Sequence, residues 1–133
     1  MIKWTESLSI GNETIDSQHK ELIQKINDVL EACNRQQGKE KVVEVMQFLK
    51  DYTVKHFKDE ENLMKKYQYP MYEEHKKIHE DLVKKVEDLD ERIKREGVSL
   101  SVVMTVNKTL VDWFVNHISK EDKKVGEYIK NRK

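Results

Sequence analysis

Residues 56–79 read HFKDEENLMKKYQYPMYEEHKKIH, and the architecture follows from where this stretch puts its histidines. His56 and Glu60 are four residues apart, as are His75 and His79, so each pair shares one face of a helix. Between the pairs, Tyr67 to Pro70 interrupts the helical run. The residue before a proline is pushed out of helical geometry, while proline itself suits a first helical turn, here that of the next helix. The two helices must therefore fold back on each other. Counted from Gln68, His56 and Glu60 lie 12 and 8 residues before the turn, and His75 and His79 lie 7 and 11 after it. Both arms of such a hairpin climb about 1.5 Å per residue, so the four side chains come level.

The same register extends outward in both directions. Upstream, Leu22, Ile23, Ile26, Val29, Leu30 and Cys33 recur at steps of three and four, which predicts a helix from about Asp16 to Gln36 that stops near Gly38. The second helix, about Glu40 to Lys66, carries Val42, Val45, Met46, Leu49, Tyr52, Leu63 and Met64 on the stripe of His56 and Glu60. Ile78, Leu82, Val86 and Leu89 share the face of His75 and His79 on a third helix that ends before Gly97. Ser99 is the expected N-cap of a fourth, with Val103, Val106, Leu110 and Phe114 on the face of His117. A short last helix contains Asp122 and Tyr128.

His19 and His56 stand 19 and 18 residues either side of Gly38; His75 and His79 precede Gly97 by 22 and 18 residues and His117 follows it by 20. All five histidines thus reach one level. The expected fold is all-α: an up-down-up-down antiparallel four-helix bundle with an N-terminal arm over residues 1–15 and a short C-terminal helix, residues 1–133 forming a single domain.

Composition removes several function classes. With 25 basic and 25 acidic residues the formal net charge is zero, so nothing favours nucleic acid or an anionic membrane surface. No run approaches the roughly 18 apolar residues of a membrane span, and the first residues lack the apolar core of a signal peptide. A soluble, cytoplasmic protein is expected. The single cysteine, Cys33, excludes an internal disulfide and, lying on an apolar stripe, reads as a small buried hydrophobe. The five methionines read as gap fillers. Trp4, Tyr67, Tyr69, Tyr72 and Trp113 read mainly as core or arm packing, a tyrosine being able to hydrogen-bond a metal-ligating side chain.

A histidine four residues from a glutamate or another histidine is a common accident on charged helices, and a lone buried histidine is more often a hydrogen-bonded core residue. The coincidence of level changes the balance. Burying five imidazoles and two carboxylates in one layer costs several kcal/mol per unpaired group unless a cation sits among them. His19, His56, Glu60, His75, His79, His117 and Asp122 are therefore the expected metal ligands.

At this point several segments can be compared with a known family. WTESLSIG (residues 4–11), IDSQHK (15–20), His56-Phe57 with Glu60-Glu61, Tyr69-Pro70 with Tyr72, His75 and His79, and WFVNHI (113–118) followed by Asp122 resemble the hemerythrin family, specifically single-domain bacteriohemerythrins. Myohemerythrin is itself a standard instance of the up-down-up-down bundle. The resemblance implies a non-haem pair of iron ions, with His75, His79 and His117 on one and His19 and His56 on the other. Glu60 and Asp122 would bridge them together with an oxo or hydroxo group. Zinc, copper and nickel suit the same donors chemically.

Two six-coordinate irons held this way are one donor short, on the iron with two histidines, where a diatomic ligand would bind. The implied function is reversible O2 binding, for storage, transport or delivery to an oxygen-consuming enzyme, and not enzymatic turnover. The alternatives are an O2 or redox sensor, or an enzyme acting on peroxide or nitric oxide. Two carboxylates, rather than the four of the ferritin-like oxidases, count against the enzyme.

Phe114, three residues before His117, and Leu110 are the expected ligand-pocket residues. The animal carriers commonly have leucine where Phe114 stands, so this is a departure. Asp122 lies five residues after His117, about 140° around an ideal helix, whereas Glu121 lies nearer its face. The resemblance favours Asp122, and the geometry then requires a break, bulge or altered turn just after His117.

Overall fold

The computed structural model describes residues 2–132. Four long helices dominate it: α1 (Glu13–Asn34), α2 (Gly38–Lys66), α3 (Tyr72–Glu96) and α4 (Leu100–Trp113). A π-helical segment, Phe114–Glu121, carries α4 directly into α5 (Asp122–Arg132), and one 3-10 turn, Glu6–Leu8, lies in the N-terminal arm. Among the described residues there is no strand. Short connections make sequence neighbours antiparallel, and α1 packs on α2, α2 on α3, and α4 on all three, closing the up-down-up-down bundle.

The helix ends follow local chemistry. Helix α1 starts earlier than its apolar stripe indicates because Asn12 is the cap, its side chain accepting from the Ile15 N–H at 3.0 Å. Asp16 instead reaches back to the arm, accepting from the Ile10 N–H at 2.9 Å and from the Ser9 hydroxyl. Gly38 does not terminate α1. The left-handed residue there is Gln36 (φ 61°), and Gly38 is the first residue of α2, needed for space: a Cβ would stand 2.8 Å from Cys33 Sγ and 3.1 Å from a Val103 methyl. Pro70 likewise lies in the turn ahead of α3 rather than inside its first turn. Ser99 caps α4 as expected, accepting from the Val102 N–H.

The interior is apolar above and below one polar layer. The larger cluster includes Leu22, Ile26, Val29, Val45, Leu49, Leu82, Val86, Val106 and Leu110. The smaller one, Met64, Tyr69, Val125 and Ile129, lies at the end formed by the α2–α3 turn and α5. Met46 and Met64 fill the core, but Met71 and Met104 are exposed, and Met1 lies outside the described residues. Cys33 is half-buried and receives a hydrogen bond from the Asn107 amide. The arm runs alongside the bundle: Ile10 packs against Gly126 of α5, and Ile2 exchanges two backbone hydrogen bonds with the Asn27 side chain of α1. Among the described residues, no helix is long and apolar enough to cross a membrane.

Candidate metal centre

Three of the long helices and the π-helical continuation of the fourth deliver donors to the same layer, one to two turns from the end where α1 and α3 begin. His19 comes from α1, His56 and Glu60 from α2, His75 and His79 from α3, His117 from the π-helical segment, and Asp122 opens α5. None of the seven is more than 2% exposed. The side chains form two groups, each with donor atoms within 4.8 Å of one another: Glu60, His75, His79, His117 and Asp122; and His19, His56, Glu60 and Asp122. The two carboxylates belong to both.

The π-helical segment is the altered turn that Asp122 requires. An α-helix would leave residues five apart on different faces, but hydrogen bonds of the i→i+5 type close a turn over that spacing. The Asp122 N–H donates to the His117 carbonyl. Asp122 Oδ1 then lies 2.9 Å from His117 Nε2 and 3.0 Å from His75 Nε2, while its Oδ2 lies 3.0 Å from His19 Nε2. Glu121 points outward, about one-third exposed.

Glu60 is the complement of Asp122 from the opposite helix. Its Oε1 is 2.5 Å from His75 Nε2 and 3.4 Å from His79 Nε2, and its Oε2 is 3.2 Å from His56 Nε2. Burial pushes both carboxylates towards the neutral acid, but the facing imidazoles win and hold both below the ordinary carboxylate range. Burial also pushes His75 down, yet Asp122 and Glu60 hold it up at about 10. His19 is raised against burial by the same two carboxylates, whereas burial prevails at His117 and lowers it.

His75 Nε2 pairs with Glu60 Oε1, but other donor atoms are close without pairing. His19 Nε2, Glu60 Oε2 and both Asp122 oxygens lack any partner in hydrogen-bond geometry, although each has a donor or acceptor within about 3.2 Å. His79 Nε2 faces His117 Nε2 at 3.2 Å. In the neutral ring of His79 the proton is on Nδ1, because its partner at 3.0 Å is a carboxylate oxygen of Glu61, which leaves the lone pair on Nε2. Lone pairs converging in a dry layer are expensive unless a cation stands between them. The donor set of imidazoles with a minority of carboxylates suits a borderline transition metal such as iron.

The sequence matches the Hemerythrin HHE cation binding domain over residues 10–129. The chain belongs to the hemerythrin family. The hemerythrin match spans all seven donors. A bacteriohemerythrin of Pseudomonas aeruginosa (strain LESB58) is 36% identical over 121 residues, 90% of this chain and 75% of that protein. One from Stenotrophomonas maltophilia (strain R551-3) is 32% identical over 98% of this chain and 82% of its own. A myohemerythrin of Sipunculus nudus is 31% identical over 90% and 86% respectively.

In this member of the family the walls around the donors are aromatic. Trp113 stacks on His117 with centroids 3.9 Å apart and planes at 19°, and Phe57 stacks on His79 at 4.0 Å and 5°. Tyr52 lies nearly parallel to His56 at 5.0 Å. Tyr52 and Trp113 each precede their histidine by four residues, a spacing visible in the sequence. Phe57 reaches across to another helix, and nothing in its spacing marks it.

A cavity of about 10 Å³ lies one helical turn from the donors, lined by Leu22, Thr53, Leu82, Leu110, Trp113 and their neighbours. That is about the space needed to centre one water-sized molecule. Phe114 is half-buried against the main apolar cluster and is not among the lining side chains. The wider turn of the π segment helps explain this, since the neighbour one turn back from His117 is Trp113.

Proposed function

We propose that this chain binds O2 reversibly at a di-iron centre, with residues 1–133 acting as one domain. In this reading His75, His79 and His117 would hold one iron, His19 and His56 the other, and Glu60 and Asp122 would bridge them. The observation that carries the reading is the convergence of buried donor atoms, four of them without a hydrogen-bond partner, in two groups sharing both carboxylates, inside a layer closed to solvent. When bound, an iron pair held by these residues would supply reversible two-electron chemistry towards O2. Family membership and the printed names of the relatives, bacteriohemerythrin and myohemerythrin, support the same reading.

The side chains supply rigidity and dryness. Glu60 and Asp122, both fully buried, hold the two groups together. Trp113 and Phe57 cover His117 and His79 with apolar rings, and Leu110 borders the small cavity one helical turn from the donors. We place O2 beside Leu110 and Trp113, with Phe114 packed against the core next to Trp113, where apolar side chains protect the site from irreversible oxidation. All five histidines stand in the donor layer, which leaves none as a separate acid or base. This supports storage, transport or delivery to an oxygen-consuming enzyme over turnover.

The test is to count iron per chain, reduce the protein anaerobically and admit O2. Two irons with a visible charge-transfer band that vanishes on purging and returns on re-exposure are expected. Two irons that oxidise once, with no reversible band, would move the assignment to redox sensing. Oxygen or peroxide consumption far in excess of iron would make the protein an enzyme.

A further inference from the structure

We infer that Gln18 is a positioning residue for the metal held by His19 and His56: clamped by Asp59, its amide fixes which nitrogen of His56 faces that metal. The inference rests on the di-iron reading above, and it concerns residues outside the seven donors.

The Gln18 amide can sit only one way round. Its Nε2 donates to Asp59 Oδ2 at 2.8 Å, and an ionised carboxylate only accepts. The amide oxygen Oε1 must then point the other way, where it lies 2.6 Å from His56 Nδ1. A carbonyl oxygen also only accepts, so Nδ1 carries the imidazole proton. The lone pair is left on Nε2, which faces the layer 3.2 Å from Glu60 Oε2. Asp59 thus determines the orientation of Gln18, and Gln18 determines the tautomer of His56.

The backbone of Gln18 is tied to the same imidazole. The Tyr52 hydroxyl donates to the Gln18 carbonyl at 3.0 Å, and the Tyr52 ring lies nearly parallel to His56. Helix α1 therefore offers a donor at His19 and, one residue earlier, orients a donor on α2. On the other side of the layer His79 has a charged outer partner, Glu61. A carboxylate acceptor makes an imidazole more basic than an amide acceptor does. The two metals would accordingly be inequivalent in their outer contacts as well as in their histidine count.

Zinc titration of the metal-free full chain by calorimetry separates this inference from the reading beneath it, because zinc needs no electron transfer. Wild type is expected to bind two zinc ions and His56→Ala one. If wild type binds fewer than two, or His56→Ala keeps both, the di-iron reading fails and the inference falls with it. Given those controls, Gln18→Leu should weaken one zinc by about 10- to 100-fold and leave the other unchanged. Gln18→Glu combined with Asp59→Asn, in which the amide placed at position 59 donates to one oxygen of the new carboxylate and the other still accepts from Nδ1, should restore the weakened site. Both affinities unchanged within about twofold in Gln18→Leu would overturn the inference.

Should Gln18→Leu fail to fold, Asp59→Asn carries the same test, since it frees the amide to turn over while leaving Gln18 and His56 in place. Nitrogen-15 NMR of the zinc-loaded protein then reads the tautomer directly. Wild type should show His56 bound through Nε2 with Nδ1 protonated, and Asp59→Asn should show exchange between forms. An unaltered His56 spectrum in Asp59→Asn would overturn the clamp.

Discussion

The backbone N–H of Asp122 donates to the carbonyl of His117, five residues back, and that bond brings the second carboxylate to the donors. With α-helical bonding Asp122 would point about 140° away and Glu121 would take the nearer position. Replacing Asp122 with alanine should therefore reduce bound metal below two per chain, whereas Glu121→Ala should leave two. Metal analysis after gel filtration decides it; equal losses in both variants would show that the π-helical turn does not select the donor.

Glu60 enters the layer from α2 and His117 from the π-helical segment, and Glu61, the carboxylate beside Glu60, is already engaged with His79 Nδ1. Glu60→Ala and His117→Ala should each abolish stable binding of two metals. Retention of two irons by either variant would remove that residue from the ligand set.

Trp113 covers His117 and lines the nearby cavity, while Phe114 is half-buried against the core. Both Trp113→Ala and Phe114→Ala should retain iron and oxidise faster than wild type in air, with Trp113→Ala the faster. Removing the buried tryptophan should also cost about 3–5 kcal/mol in denaturant unfolding. The decay rate of the oxygenated absorbance checks the order, and a Phe114 effect exceeding that of Trp113 would contradict it.

Proton linkage gives a pH dependence with opposite signs at the two ends. In the metal-free protein Asp122 and Glu60 overcome burial and raise His75 from 6.5 to about 10. A raised pKa contributes stability that is complete below about pH 6.5 and is lost as pH climbs through about 10. Glu60 is lowered from 4.5, so its contribution is present above that pH and is lost as pH falls through its folded value. The metal-free protein should thus be most stable between these limits and weaken towards pH 10. A metal must displace the His75 proton, so zinc binding at pH 7 should release protons, and loading should remove the alkaline weakening. Calorimetry in buffers of different ionisation enthalpy counts the protons; none released would refute the charge state assigned to His75.

Gly126 lets the arm approach α5. A Cβ there would stand 2.7 Å from Ile10 Cα, a backbone atom that cannot simply rotate aside. The overpacking cost of about 1–3 kcal/mol outweighs the roughly 1 kcal/mol that alanine gains over glycine within a helix. Gly126→Ala should lower the unfolding midpoint and speed proteolysis of residues 2–10. A higher midpoint with an intact arm would contradict the close approach.

Helix count, antiparallel order and the common level of His19, His56, His75, His79 and His117 were legible in the sequence. The rise per residue of a helix is nearly constant, so distance along the chain converts directly into height in the bundle. Once the family resemblance favoured Asp122 over Glu121, the same fixed geometry required an altered turn after His117. Helix ends were less legible, because a cap competes with its neighbours: Asn12 starts α1, and Asp16 turns its carboxylate to the arm.

Relations between helices depend on how each rotates about its own axis, and only the packed core sets that angle. Nothing in the spacing joins Gln18 to His56, Glu61 to His79, or the ring of Phe57 to His79. The convergence of the Asp122 and Glu60 oxygens on opposing imidazoles belongs to the same class. Sequence determined which side chains share a height. Tertiary packing decided which of them face one another, because rotation of neighbouring helices is settled jointly by all the side chains between them.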